Sequence, residues 1–430
     1  MKKELNEQFI IDLSKRKNEP EWMLDFRLKS FAKFKELDNP TFGPKLDFDF
    51  ENINYYKGNK EELTNDWNKV NCSIRNKFNE LGVIEAENKY LGGVTNQYES
   101  EVVYHNQNVE DGIIFTSTDD ALQKYPDLFK EYFNHLVNYA ENKYTALNGA
   151  VWSGGSFIYV PKGVKVDRPL QSYFRIETES LGQFERTIII VDEGAELSYI
   201  EGCTAKNFSL SSLHAGVVEI YIKKNARCRY STIQNWSTDV YNLVTKRAIV
   251  EDYGTMEWVD GNIGSKVTMK YPSCILKGEG ATGNSISIAY AKTGQELDAG
   301  AKMIHIGSNT KSNIISKSIA EGGGLSNYRG LTKIGKSAIN SKATIKCDTI
   351  ILDEKSKSDT FPTNIVGNSS STLEHEATIS KVSAEKMFYL TSKGISEDRA
   401  KELLIMGFIS DFKKELPMEY AVELNRLLKE

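Results

Sequence analysis

The longest regular feature of the chain is an alternation of apolar and polar residues that begins at Trp152 and runs to about Lys381. β-Branched and aromatic residues fill alternate positions, and helical periodicity is nearly absent over the whole span. Side chains alternate across a strand, so this is the pattern of many short strands. Turn residues punctuate it at Asp192-Glu-Gly194, Lys224-Asn-Ala226, Asp252-Tyr-Gly254 and Gly307-Ser-Asn309, and again at Gly335-Lys-Ser337, Asp353-Glu-Lys355 and Gly367-Asn-Ser369. Strands so punctuated predict a sandwich, a barrel or a solenoid. On either side the pattern turns helical. Pro20–Phe34 opens with a proline suited to a first helical turn, and Asn59–Asn88 gives a second helical stretch with Leu63, Trp67, Val70 and Phe78. Thr118–Ala146 reads as one or two helices broken near Pro126. Past the core, Ser383 caps a helix that Gly394 ends, Ser396 starts the next, and Pro417 opens a last one over Met418–Lys429.

Inside the strand-rich span the chain resembles itself. Ser172–Thr178, Ser198–Thr204 and Ser231–Ser237 align without gaps, starting 26 and 33 residues apart. That spacing suggests successive coils of a solenoid. The expected fold is therefore mainly β, a right-handed parallel β-helix core flanked by N-terminal and C-terminal helical domains. Its expected divisions are an N-terminal helical region (1–90), a mixed α/β connection (91–150), the β-helix (151–382) and a C-terminal helical domain (383–430). If the three blocks stack in this alignment, Arg175, Glu177, Glu201, Cys203, Gln234 and Trp236 form one column on one face.

Composition narrows the function only by exclusion. There are 54 Lys and Arg against 59 Asp and Glu, a net charge of −5, which argues against nucleic acid as the main partner. No apolar run approaches the roughly 20 residues needed to span a bilayer, and the first residues lack the apolar stretch of a secretory signal. The 5 cysteines are widely spaced, which suits a reducing compartment and thiols used singly. Cytoplasmic location is the expectation.

Several residues suggest chemistry, each beside a plainer account. Gly278-Glu-Gly-Ala-Thr-Gly283 has the spacing of a dinucleotide-binding turn, but a strand follows where that motif needs a helix, so it is taken as a turn between coils. Cys203 is either a small buried hydrophobe or, with Arg175 in register and Lys246 near, a thiol activated by cations. Cys347 is followed one or two coils later by Glu374, His375 and Glu376. Alternation puts the two carboxylates on one face and the imidazole on the other, a set that is either solvated charge or an iron or zinc site. His305 and His214 read as satisfied core histidines, and Cys72 and Cys274 sit in no constellation.

At this point the residues resemble a known family. Pro20-Glu-Trp-Met-Leu-Asp-Phe-Arg-Leu28, Tyr98-Glu-Ser-Glu-Val-Val-Tyr-His105, Trp152-Ser-Gly-Gly-Ser-Phe-Ile-Tyr-Val-Pro161 and Tyr199-Ile-Glu-Gly-Cys203 are similar to the SufB/SufD family of the SUF iron–sulfur cluster assembly system. So are Tyr230-Ser-Thr-Ile-Gln-Asn-Trp236, Lys302-Met-Ile-His-Ile-Gly307 and Leu373-Glu-His-Glu-Ala-Thr378, and the last of these, beside Cys347, resembles the scaffold branch, SufB. The resemblance implies a scaffold with no conventional enzymatic activity, bound through its C-terminal helices to the ABC-type ATPase SufC. It pairs through the β-helix with SufD or a second copy of the chain. By the same resemblance Cys203 takes persulfide sulfur from a cysteine desulfurase or sulfur-transfer protein, and Arg175, Gln234, Trp236 and Lys246 line the sulfur route. Cys347, Glu374, His375 and Glu376 then hold iron in a transient Fe–S cluster, [4Fe–4S] in type, with room for a reduced flavin. Two departures stand out: Glu177 replaces an expected Asn, and Cys72 is the only thiol before Cys203. The competing readings are a SufD-like structural partner and a β-helix carbohydrate-active enzyme, the latter needing acid and base groups in an exposed groove.

Overall fold

The computed structural model describes residues 4–58, 63–109, 112–206, 211–382 and 384–415. The helix expected over Met418–Lys429 lies outside them. The strands form a parallel β-solenoid built from a 10-stranded sheet and a 13-stranded sheet facing one another across the core. In the first sheet Leu170–Ile176, Glu196–Ala205, Arg227–Trp236, Thr255–Gly264, Thr282–Ala291, Lys311–Ala320, Lys342–Ile351 and Thr372–Lys381 pair in that order, each parallel to the next. One coil spans 27 residues from Trp258 to its partner Ser285, and 31 from Ile314 to Ile345. The six-residue identity Gly278–Gly283 opens the strand Thr282–Ala291 as a turn, not a helix.

The interior is filled by stacked apolar positions from both sheets. Ile189, Val191, Leu197, Tyr199, Ile220, Tyr230, Ala248, Trp258 and Met303 are buried in a single cluster. A stack of this kind gives each coil its stability only through its neighbours, so its two ends need separate cover. At the N-terminal end Glu101–Gln107 runs antiparallel to Gly93–Tyr98, which itself pairs with Leu170–Ile176. The helices Cys72–Glu80 and Val83–Lys89 lie on the outer face of this sheet, packing Ile74 and Phe78 against Tyr173, Ile200 and Ile233. Glu397–Phe408 packs against the same outer surface through Ile405, with Ile409 and Phe412 beyond it. The N-terminal helices Glu7–Arg16 and Glu21–Glu36 share a core with Lys143–Val151 and with Leu213, Tyr241 and Leu243 of the second sheet.

Candidate functional site

The site is best built from the register of the strands. Phe174 pairs with Cys203 and Cys203 with Gln234, while Arg175 pairs with Thr204. Paired residues on parallel strands point the same way, so Cys203 and Gln234 face the interior and Arg175 faces out. The expected single column therefore does not form, and this corrects the placement of Arg175 and Glu177. Ser172 stands opposite Glu201 and Ser198 opposite Arg229, spacings of 29 and 31 residues where the block alignment has 26 and 33. The first error is odd and turns Arg175 to the other face; the second is even and leaves Gln234 and Trp236 on the Cys203 side. Outside, Arg175 Nε donates to Glu177 Oε1 at 2.7 Å and Nη1 to Thr204 Oγ1 at 2.8 Å, with Lys77 Nζ 2.9 Å from Glu177. The ammonium of Lys77 and guanidinium of Arg175 hold the Glu177 carboxyl below its usual range against the upward push of burial.

What stacks inside instead is a polar ladder. Register places Ser172, Glu201, Thr232, Asp260, Ser287, Ser316 and Cys347 one above the next on seven successive strands. Two buried ion pairs occupy it. Lys246 Nζ lies 3.1 Å from Glu201 Oε1 and Lys270 Nζ lies 2.8 Å from Asp260 Oδ1. Both lysines reach in from the facing sheet. Lys270 Nζ and Asn242 Nδ2 also donate to Gln234 Oε1, at 3.2 and 2.9 Å. Tyr230 donates to Glu201 and Thr232 to Asp260. Charges this deep persist only when paired and hydrogen-bonded. Even so, Gln234 Nε2, Trp236 Nε1, Asp260 Oδ2 and Asn262 Oδ1 are buried without a hydrogen-bond partner among the described residues.

Cys203 is buried among Phe174, Ile176, Leu181, Trp236 and Val240. Burial pushes its thiol well above the ordinary value, with Glu201 and Glu185 adding to that and Lys246 and Lys270 opposing. Of the two readings of Cys203, this setting is that of the small buried hydrophobe: burial dominates, and the nearby ammonium groups of Lys246 and Lys270, each paired with a carboxylate, do not offset it. Trp236 lies against His214 with ring centroids 4.6 Å apart and the planes tilted by 38°. His214 lies against Asn242 and Glu185, Nδ1 being 2.7 Å from Asn242 Oδ1. Gly264 pairs with Trp236, and a Cβ there would fall 1.9 Å from the Trp236 carbonyl oxygen, so glycine is required at that edge.

At the other end, Cys347 is buried beside Tyr328 and Ile345. Its thiol is pushed up to about 12 by burial, which the Tyr328 hydroxyl opposes and Asp348 supports. Cys347 pairs with Ala377, Ile345 with His375, Thr344 with Glu374 and Lys346 with Glu376. His375 therefore shares the inner face with Cys347, whereas Glu374 and Glu376 face outward, Glu376 lying 3.8 Å from Lys346 Nζ. The four candidate ligands occupy adjacent strands without converging, and among the described residues no group of three or more His, Cys, Asp or Glu is arranged to hold a metal ion. His375 Nδ1 is 3.1 Å from Asn364 Nδ2, while its Nε2 is buried without a hydrogen-bond partner among the described residues.

The sequence reading missed Glu185, Asn242, Asp260 and Lys270. The signal was present as single polar residues at inward positions of apolar strands, as in Met256-Glu-Trp-Val-Asp260 and Val267-Thr-Met-Lys270. His214 is a satisfied core histidine, as expected, but sits inside the site. His305 is equally satisfied, by Thr310 and Ser312 at 2.8 and 2.9 Å, and lies in another part of the core.

Fold and site together define a parallel β-solenoid with thiols and paired charges lined up along its axis. Two family models cover most of the chain: one described as "SUF system FeS cluster assembly, SufBD core domain" matches residues 174–408, and one described as "SufBD protein N-terminal region" matches residues 12–172. Similar proteins include iron–sulfur cluster assembly SufBD family proteins of Staphylococcus epidermidis, Staphylococcus aureus and Staphylococcus saprophyticus, each 57% identical over 429 residues, covering 99% of this chain and 92% of the relative. The chain belongs to the SufBD family of iron–sulfur cluster assembly proteins. No helix among the described residues is long and apolar enough to cross a membrane.

Proposed function

We propose that the chain is the scaffold branch of this family, SufB-like, accepting sulfane sulfur at one end of the solenoid and assembling a nascent cluster at the other. The observation that carries this is the polar ladder, which passes beside Cys203 at Glu201 and finishes at Cys347. A pocket of about 390 Å³ lined by Arg175, Thr204 and Trp236 lies next to the Cys203 strand and suits the approach of a desulfurase or sulfur-transfer protein. Arg175 then acts at its mouth, and Gln234, Trp236 and Lys246 act within. Transfer requires the Cys203 thiolate to attack the terminal sulfur of a donor persulfide, the donor cysteine leaving as its own thiolate. Because the thiol is protonated at rest, docking of the donor must bring water or a base to it.

Five strand-to-strand steps separate Cys203 from the Cys347 strand, roughly 24 Å at ~4.8 Å per strand. Direct attack of one thiol on the other is excluded over that span. Sulfur must travel as a small anion, and its release from a persulfide takes two electrons, for which a reduced flavin is a suitable donor class. Cys347 and His375 Nε2 would hold iron from within, and Glu374 and Glu376 from the outer side once a partner closes the end. One thiolate with nitrogen and oxygen donors should hold a [4Fe–4S] cargo loosely enough to release it. The partner at that end is SufD or a second copy, the exposed Phe388 and Tyr389 offer a docking face for the SufC ATPase, and the setting is cytoplasmic. A second reading, a SufD-like structural partner, is favoured by the outward turn of Glu374 and Glu376. Anaerobic reconstitution with iron and sulfide separates the two. The scaffold gives a thiolate-to-iron absorption band that Cys347→Ala abolishes and Cys203→Ser leaves intact, while Cys203→Ser loses loading from a desulfurase. A band that survives Cys347→Ala overturns the scaffold reading.

A further inference from the structure

On the outer side of the second sheet the loop Leu37–Phe42 overhangs Val240–Val250 and the start of Lys302–His305, leaving a cleft of about 330 Å³. Volumes of this order, roughly 300–1,000 Å³, are those of small-molecule sites. Its floor and walls are largely apolar, from Leu243, Met269 and Pro40, with Phe42 and Tyr271 at one side, their ring centroids 6.1 Å apart. Apart from the exposed Asp38 at the rim, the charges around it are paired in all but one place. Arg247 holds Glu141 with two contacts, at 2.8 and 2.6 Å, and Arg329 holds Asp298 at 2.9 Å, with Tyr271 donating to the same carboxylate at 2.7 Å.

Lys302 is the exception. Its ammonium makes no hydrogen bond or ion pair among the described residues, and its one charge contact is the face of the Tyr271 ring, 5.3 Å away. Asp38 at the rim is exposed and makes no ion pair with it. Burial pulls the proton affinity of Lys302 down and Arg247 adds to this, with Glu141 opposing. A half-buried cation held beside a second cation, with no carboxylate in contact with it among the described residues, costs stability in the free protein. That cost is removed when an anion arrives.

We propose that this cleft binds a small organic anion, its acidic group on Lys302 Nζ and an apolar, planar body between Phe42 and Met269. A bare inorganic ion would satisfy the ammonium and leave the apolar walls unused, so the body contributes to affinity as well as the charge. The cleft meets the sulfur route only at Lys246, which borders it: Thr245 and Arg247 lie on the cleft side of their strand while the Lys246 side chain between them points into the core.

The test is calorimetric titration of the full chain with phenyl phosphate, alongside inorganic phosphate and benzyl alcohol. Phenyl phosphate is expected to bind once per chain, at least tenfold more tightly than either control. Lys302→Met should weaken it at least tenfold while raising the thermal midpoint of the free protein, because a poorly solvated charge is removed. Lys302→Arg should retain binding within about threefold. Phe42→Ala, on an exposed loop side chain, should weaken phenyl phosphate but not inorganic phosphate. Equal affinity for phenyl phosphate in the wild type and Lys302→Met, or equal affinity for phenyl phosphate and inorganic phosphate, would overturn the proposal.

Discussion

Asp260 shows how a single residue is held in the solenoid interior against its own chemistry. Burial alone would drive its carboxyl toward the neutral form, but the ammonium groups of Lys270 and Lys246 and the Thr232 hydroxyl outweigh that and hold it below its ordinary value. Lys246 is likewise raised, since Glu201, Asp260 and Cys203 together overcome its burial. The native carboxylate of Asp260 binds its proton more weakly than the unfolded chain does. Its contribution is therefore present above the unfolded carboxyl value of about 4 and is lost as pH falls through the lower folded value. Asp260→Asn leaves Lys270 buried and unpaired, a loss of about 3–5 kcal/mol at neutral pH. In urea titrations between neutral pH and about pH 2, the gap between wild type and Asp260→Asn should narrow on the acid side. A gap that stays constant would mean that the carboxylate is not ionised in the folded protein. Cys203 belongs to the same set of couplings, which is why no substitution at Glu201 or Lys246 can be read as an effect on the thiol alone.

The ladder is a property of strands rather than of any one residue. Ser287 and Ser316 join its charged half to Cys347, and the Ser287 hydroxyl donates to Ser316 at 3.2 Å. If this is the passage, filling it midway should stop delivery without touching either end. Ser316→Leu is expected to lose at least tenfold in cluster formation driven by a desulfurase, with reconstitution from free sulfide unchanged. Overpacking should cost about 1–3 kcal/mol, within reach of a folded protein. Equal loss with both sulfur sources would place the damage at Cys347 itself. The strands were legible from alternation and from turns such as Asp192-Glu-Gly194, because a two-residue period is a local property. Register was not. The blocks from Ser172, Ser198 and Ser231 look alike through their hydroxyl and polar positions, yet coils stack on their inward apolar residues. Leu170, Tyr199, Tyr230 and Trp258 set the pairing, which put Cys203 opposite Phe174 and sent Arg175 outward. For the same reason Cys347 and Glu374-His375-Glu376 could be placed on adjacent coils, but convergence on one point could not be read from spacing. The buried partners Lys270 and Asn242 come from the facing sheet, whose distance along the chain gives no local signal.

The two ends of the whole molecule are finished differently. The N-terminal end is closed by the antiparallel turn-back of Glu101–Gln107 and flanked by helices, so few strand edges remain there. At the other end Thr360–Val366 pairs only with Leu325–Ile334, and Thr372–Lys381 only with Lys342–Ile351, among the described residues. Along these last strands Ile365, Val366 and Ile379 are 44%, 45% and 50% exposed, a degree of exposure that would be costly for a terminal coil left in water. An open edge with unpaired backbone groups is a template for another strand, and natural proteins cover or charge such edges unless they are used. Lys381 is the only charge that either strand sets beyond the Glu374–Glu376 pair, too little to block pairing. The purified chain should therefore associate reversibly through this end, giving a mass in sedimentation that rises with concentration. Val366→Lys with Ile379→Lys should shift it toward the monomer, weakening association at least tenfold with the thermal midpoint nearly unchanged, because both positions are half exposed already. Undiminished association in the double variant would show that another surface joins the copies. In that case the outward carboxylates Glu374 and Glu376 would lose the closing partner that a cluster site at this end requires.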